Sequence, residues 1–258
     1  MRPPAPPAIT HEGRRDLPLL RALLLDLDDT LLINDMDSFG PAYCRALLGT
    51  MRSICPPVRF MEALQAGTEA MMGNDGRSGP NAEVFAREFL PRVGRSAEDI
   101  MPIFERFYRE EFDGLRSLTE VDPDAKRLVA LARQQGYQLA IATQPLFPRE
   151  AILARLRWAG VPDEEWRYDF VASYESLSAC KPRWAYFRTI LDRLGRRPDE
   201  CLVVGDSPQA DMAAGRFGLK TYWVDRGRGV DPSSVQADAR GNLLDLIHLI
   251  ETGEVDDL

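Results

Sequence analysis

The sequence predicts an α/β protein, a Rossmann-like parallel sheet with helices on both faces and an α-helical domain inserted into it. Three observations carry that prediction. From about residue 115 onward, short apolar runs alternate with amphipathic helical stretches, the pattern of βαβ units and a parallel sheet. Between the first apolar run and this series, roughly residues 35–118, the spacing is helical and no convincing strand occurs. The first run, Leu23–Leu25, ends directly on acids in "LLLDLDDT"; such runs fit strands buried on both faces.

Each element has its own signal. Leu23, Leu24 and Leu25 form the first strand. The insertion holds four helical stretches, over residues 38–54, 59–73, 81–93 and 96–112. Residues 122–136 read as a helix with acids in its first turn and Gly136 as its stop. A buried strand follows over 137–143, then a helix closed by Gly160 and a short strand over 169–173. A helix over 181–195 takes Pro182 as a favoured first position. Residues 201–207 form a strand, 209–218 a helix, 221–225 a strand and 242–253 the last helix. The domains follow: a disordered Pro-rich tail over 1–18, a core of 19–34 plus 119–258, and the insertion over 35–118. The chain crosses between core and insertion near Asn34–Asp37 and Leu115–Asp122.

Composition narrows the function classes. The 258 residues are 45% hydrophobic and 28% charged, ordinary for a globular protein, and the formal net charge is −8. Clustered basic residues of a nucleic-acid footprint are absent. No apolar run approaches the roughly 20 residues of a membrane span. Residues 1–18 hold five prolines and no signal-peptide core. Cys44, Cys55, Cys180 and Cys201 show no paired spacing. Reduced thiols and a cytoplasmic location are expected. His11 and His248 suggest no metal site, and the partner expected is a small molecule.

The chemistry gathers at strand ends. Side chains alternate along a strand, so Asp26 and Asp28 project to the same side. Two carboxylates roughly 5 Å apart repel by about 3 kcal/mol at an effective dielectric of about 20. Either a cation sits beside them or one acid holds a proton. A parallel sheet brings its carboxyl-end residues to one rim, where ligands bind in open α/β folds. That rim collects Asp26, Asp28, Thr143, Lys181, Asp206 and Asp211.

These pieces, "DLDDT", "ATQ", "CKP" and "GDSPQAD" in that order, resemble the four motifs of the haloacid dehalogenase (HAD)-like superfamily. The likeness is to its phosphatase branch, with a helical cap inserted after the first motif, and it spans residues 23–211. It implies a Mg²⁺-dependent phosphatase acting on a small phosphorylated metabolite. Asp26 would be the nucleophile that forms an aspartyl-phosphate, and Asp28 the general acid and base. Thr143 would donate to a phosphoryl oxygen and Lys181 would neutralise charge. Asp26, Asp206 and the backbone carbonyl of Asp28 would hold Mg²⁺, with Asp211 as a further ligand or as outer support. Gln144 follows the second-motif threonine where the family more often has a smaller residue; it would narrow the pocket or donate to the substrate. Arg77, in the polar "MMGNDGRSGPN" stretch of the cap, is a candidate substrate contact. Asp28 argues against dehalogenation, whose halide leaving group needs no proton. A phosphomutase of the same superfamily, a phospho-aspartate switch and a non-catalytic binding protein remain alternatives. Oligomeric state is not legible.

Overall fold

The computed structural model describes residues 20–258; the expected Pro-rich tail over 1–18 lies outside the described residues. The core strands are β1 (Ala22–Leu25), β4 (Gln138–Ile141), β5 (Phe170–Val171), β6 (Cys201–Gly205), β7 (Lys220–Val224) and β8 (Ala239–Gly241). They form one sheet in the order β5-β4-β1-β6-β7-β8, and every pairing in it is parallel. The central strand β1 aligns Leu25 with Ile141 on one side and Val204 on the other. Asp26, Thr143 and Asp206 therefore emerge at neighbouring positions on the same rim.

Helices cover both faces, as buried parallel strands require. Leu23 and Leu25 of β1 face one core. It is shared with α5 (Ala125–Gln134), α6 (Arg149–Trp158) and α9 (Leu243–Thr252). Ala22 and Leu24 face the other, closed by α8 (Trp184–Leu194) through Tyr186, Phe187 and Ile190. The short α7 (Asp163–Trp166) links α6 to β5.

The insertion is helical throughout: α1 (Met36–Met51), α2 (Pro57–Gly73), α3 (Asn81–Val93) and α4 (Ala97–Arg106), continued by a π turn and a 3₁₀ helix to Leu118. Helices α2 and α3 touch at Gly67, where any Cβ would fall 2.6 Å from the Phe85 ring. The chain enters and leaves the insertion through two-residue strands, β2 (Leu32–Ile33) and β3 (Glu120–Val121), paired antiparallel. The two crossings thus lie side by side.

The structure departs from the sequence reading in several places. No strand was expected at the β2–β3 pair, two residues on each side, although β2 ends the short apolar run Leu31–Ile33, nor at the edge strand β8, which carries no apolar run. Residues 212–217 form a 3₁₀ helix and not an α-helix: Gly215 and Gly218 lower helix propensity, and the preceding turn is closed on Ser207, whose Oγ accepts from Ala210 N at 3.2 Å. Helix α8 begins at Trp184, not at Pro182, because the Arg183 backbone is extended, with ψ 142°, and its N–H closes a turn on Cys180 O at 3.1 Å. Among the described residues no helix is long and apolar enough to cross a membrane.

Candidate active site

The rim of the sheet positions each side chain through a different local device. Asp26 follows β1, its backbone fixed by Asp26 N donating to Val204 O at 2.9 Å. The chain then turns sharply. Asp29 adopts φ +53°, a left-handed conformation that Asp tolerates better than most residues. Asp29 Oδ1 accepts from Asn34 N at 3.0 Å and from Arg228 Nη2 at 2.6 Å. Arg226 ties the same turn down: its Nε donates to Asp29 O at 2.8 Å, its Nη2 to Thr30 O, and its Nη1 pairs with Asp122 at 2.6 Å. This turn and the exit from the insertion are therefore braced by one arginine.

Lys181 is the hub of the buried site. Its Nζ donates to Asp26 Oδ1 at 2.8 Å and to Asp211 Oδ1 at 2.5 Å. Asp211 Oδ2 accepts from Ser207 N at 3.1 Å. Asp211 reaches so close to β6 only because residue 205 is glycine: a Cβ there would lie 2.3 Å from Asp211 Cγ. Carboxylate oxygens of Asp26, Asp206 and Asp211 lie within 4.8 Å of one another.

Burial in a crowd of like charge sets the electrostatics. Burial raises the Asp26 carboxyl well above the ordinary range, against the pull of Lys181. Asp206 is pushed up to about 7, by burial first and by the charge of Asp211 next. Burial alone would push the Lys181 ammonium down, but Asp211 and Asp26 outweigh it and hold it above the usual lysine value. The protein alone thus favours protons on these acids, a state that a divalent cation would reverse.

Asp28 stands apart from this cluster. Its Oδ2 pairs with Arg155 Nη1 at 2.6 Å, and its Oδ1 accepts from Asn34 Nδ2, also at 2.6 Å. Arg155 is fully buried in α6 and lies 4.4 Å over the Phe147 ring. The Asp28 side chain is thus held by an arginine and an amide, which leaves the expectation of its backbone carbonyl as a metal ligand untouched.

The other expected residues fall as follows. Thr143 is buried, lines the cavity at this rim, and its carbonyl accepts from Tyr186 Oη at 2.9 Å. The Gln144 amide faces Lys181's backbone, accepting from Lys181 N at 2.9 Å and donating to Lys181 O at 3.4 Å. It thereby braces the loop that carries the lysine. Arg77 is not brought to the rim: its side chain is 89% exposed and its charged neighbour is Asp75. Sequence reasoning missed Arg155, Asn34, Asp29 and Arg228, of which Asn34, Asp29 and Arg228 line the cavity. Arg155 carried a signal, since it sits on the apolar face of α6 in step with Ala151, Ile152 and Trp158.

The insertion is fastened over this rim. Asn81 N donates to Leu177 O at 2.8 Å and its Nδ2 to Pro145 O at 3.2 Å. Arg183 Nη1 donates to Met72 O at 2.6 Å. The α2–α3 end thus rests on the two loops that carry Gln144 and Lys181.

Fold and site together define an α/β protein with aspartates gathered around a lysine at the carboxyl edge of its parallel sheet. The chain belongs to the haloacid dehalogenase-like hydrolases, whose family model matches residues 20–217. A phosphoserine phosphatase of Thermus thermophilus is 30% identical over 259 residues, covering 90% of this chain and 99% of its own. A phosphoglycolate phosphatase of Pectobacterium atrosepticum is 25% identical, over 90% of this chain and 94% of its own. A solved 2-haloacid dehalogenase of Pseudomonas syringae shares the fold, with a TM-score of 0.64 at 18% identity over 91% of this chain and 99% of that one.

Proposed function

We propose that this hydrolase is a Mg²⁺-dependent phosphatase that cleaves a phosphate monoester through an aspartyl-phosphate on Asp26. The observation that supports it most is the separation of two acid sets on one rim. Asp26, Asp206 and Asp211 cluster around Lys181, while Asp28 is held by Arg155 and Asn34. One set suits phosphoryl binding and attack; the other suits proton transfer.

The clustered carboxylates of Asp26, Asp206 and Asp211, when ionised, share one cation, Lys181, so two negative charges remain uncompensated. Hard oxygen donors with that charge deficit fit Mg²⁺. Asp26 and Asp206, with Asp211 behind them, would hold the ion, which supplies Lewis-acid polarisation of a phosphoryl oxygen when bound. The protein's own steps are these. Asp26 attacks phosphorus, the ester P–O bond breaks, and Asp28 gives its proton to the departing alkoxide. Asp28 then takes a proton from water, which attacks phosphorus, releases inorganic phosphate and restores Asp26. Lys181 has three N–H donors and spends two on Asp26 and Asp211; the third is available to a phosphoryl oxygen. Thr143 offers a hydroxyl at the same rim. The helical insertion acts as a cap that excludes water from the reacting group.

The test is phosphate release from a panel of monoesters, with and without Mg²⁺, by the full chain and by Asp26→Asn. Release of inorganic phosphate separates hydrolysis from the phosphomutase alternative. The wild type should turn over only with the ion and Asp26→Asn should be inactive; equal Mg²⁺-dependent release by the variant would overturn the assignment.

A further inference from the structure

Beside the catalytic cavity of about 430 Å³ lies a second and larger one, about 690 Å³, between α1, α2 and α4 of the cap. Met36, Leu146 and Phe147 line both, so the two cavities are neighbours that share part of their walls. Phe147 is also the ring under the Arg155 guanidinium that holds Asp28. The larger cavity therefore lies next to the group that would protonate a leaving group.

We infer that the substrate's alcohol is bulky and apolar and carries no second anionic group. This rests on the phosphatase reading above and adds the substrate class. The walls argue for it. Helix α2 presents Val58, Met61, Gln65, Thr68 and Met72 at helical spacing, facing Tyr43 and Leu47 of α1. The charged side chains on the lining are Glu62 and Glu69, and among the described residues that line it none is basic. Arg228, at the catalytic end, is already paired with Asp29. A second phosphate or a carboxylate on the leaving group would meet acids and apolar walls, whereas a hydrocarbon or aryl group would be desolvated against methionine and aromatic surface. The volume falls within the range of small-molecule sites.

The test uses the full chain with Mg²⁺ and a series of linear alkyl phosphates from methyl to octyl, with phosphoglycolate for comparison. Each buried methylene is worth about 0.8 kcal/mol, so kcat/KM should rise about three- to four-fold per added carbon until the cavity fills. A flat series, or phosphoglycolate preferred over the octyl ester, overturns the inference. Gly40 lines the cavity and has no heavy atom within 4 Å of the position its Cβ would take. Gly40→Phe should therefore cut the octyl-to-methyl ratio of kcat/KM at least about ten-fold, and an unchanged ratio counts against the inference. A second readout needs neither turnover nor a variant. Cys44 lines the same cavity and is half-buried, while Cys55, Cys180 and Cys201 are buried. Octylphosphonate, which is not hydrolysed, should slow alkylation of Cys44 in the wild type; no protection refutes the assigned occupant. Hydrolysis of methyl phosphate with no chain-length effect sinks this inference alone. Protection of Cys44 with no ester hydrolysed sinks the phosphatase reading and leaves the cavity's preference standing.

Discussion

Replacing Arg155 by methionine tests whether the pair with Asp28 organises the site. Breaking a buried pair by removing one partner costs roughly 3–5 kcal/mol, because the remaining charge is left uncompensated. Asp28 is not fully enclosed: its side chain is 15% exposed and Asn34 Nδ2 stays 2.6 Å from it. Methionine would also recover apolar contact with Phe147. The loss should therefore fall at or below the lower limit of that range, about 2–3 kcal/mol, read by urea denaturation. For a chain of this length that is a fall in Tm of roughly 4–12 °C. Turnover should drop by about 10², the lower bound for a group that transfers a proton, since Asp28 keeps its carboxylate but not its orientation. A merely structural role would add to other losses; an organised pair would not. Asp28→Asn alone strands the fully buried Arg155. Arg155→Met added to Asp28→Asn should therefore cost far less than in the wild type, with a coupling of about 2 kcal/mol. Additive losses, or a single variant equal to wild type in stability and turnover, would refute the reasoning.

Two further predictions follow from the acid cluster. Asp206 is pushed up to about 7, so the folded, metal-free protein retains a proton that the unfolded chain has already released. The stability this gives is complete below the ordinary carboxylate value and is lost as pH rises through about 7; Mg²⁺ affinity climbs over the same window because the ligand must be deprotonated. A chelated sample should thus melt lower near pH 8 than near pH 5.5, an order that calorimetry reads directly and whose reversal would contradict the assignment. Gly205→Ala should push Asp211 off its position, at a cost of about 1–3 kcal/mol and with loss of most Mg²⁺ affinity by titration calorimetry; wild-type affinity in a folded variant would show that the close approach is unimportant.

Much of the fold was legible because buried parallel strands announce themselves. The leucines of β1 and the "CLVV" of β6 are continuous apolar runs, and the acids that end them mark the rim. Strand β8 was not legible: Ala239, Arg240 and Gly241 form an edge strand whose polar sequence carries no pattern, and only its pairing to β7 makes it a strand. The acids and Lys181 could be gathered from the rule that parallel strand ends converge. The same rule, extended one strand further, would have pointed to Arg226 and Arg228 just after β7. Arg155 was readable only as an anomaly, a charge on an apolar helix face, because its partner Asp28 lies 127 residues away in sequence. Side-chain commitments such as Gln144's grip on the Lys181 backbone depend on loop geometry that no local pattern encodes. Arg77 failed for the opposite reason, since a polar glycine-rich loop reads alike whether it touches a ligand or water.

The most direct test of the central claim is anomalous scattering from crystals of the full chain grown with Mn²⁺ as a stand-in for Mg²⁺. One peak should lie between the carboxylates of Asp26 and Asp206, beside Lys181, and should vanish in Asp206→Asn. A peak elsewhere, or none at saturating ion, would contradict the metal-centred account of this rim.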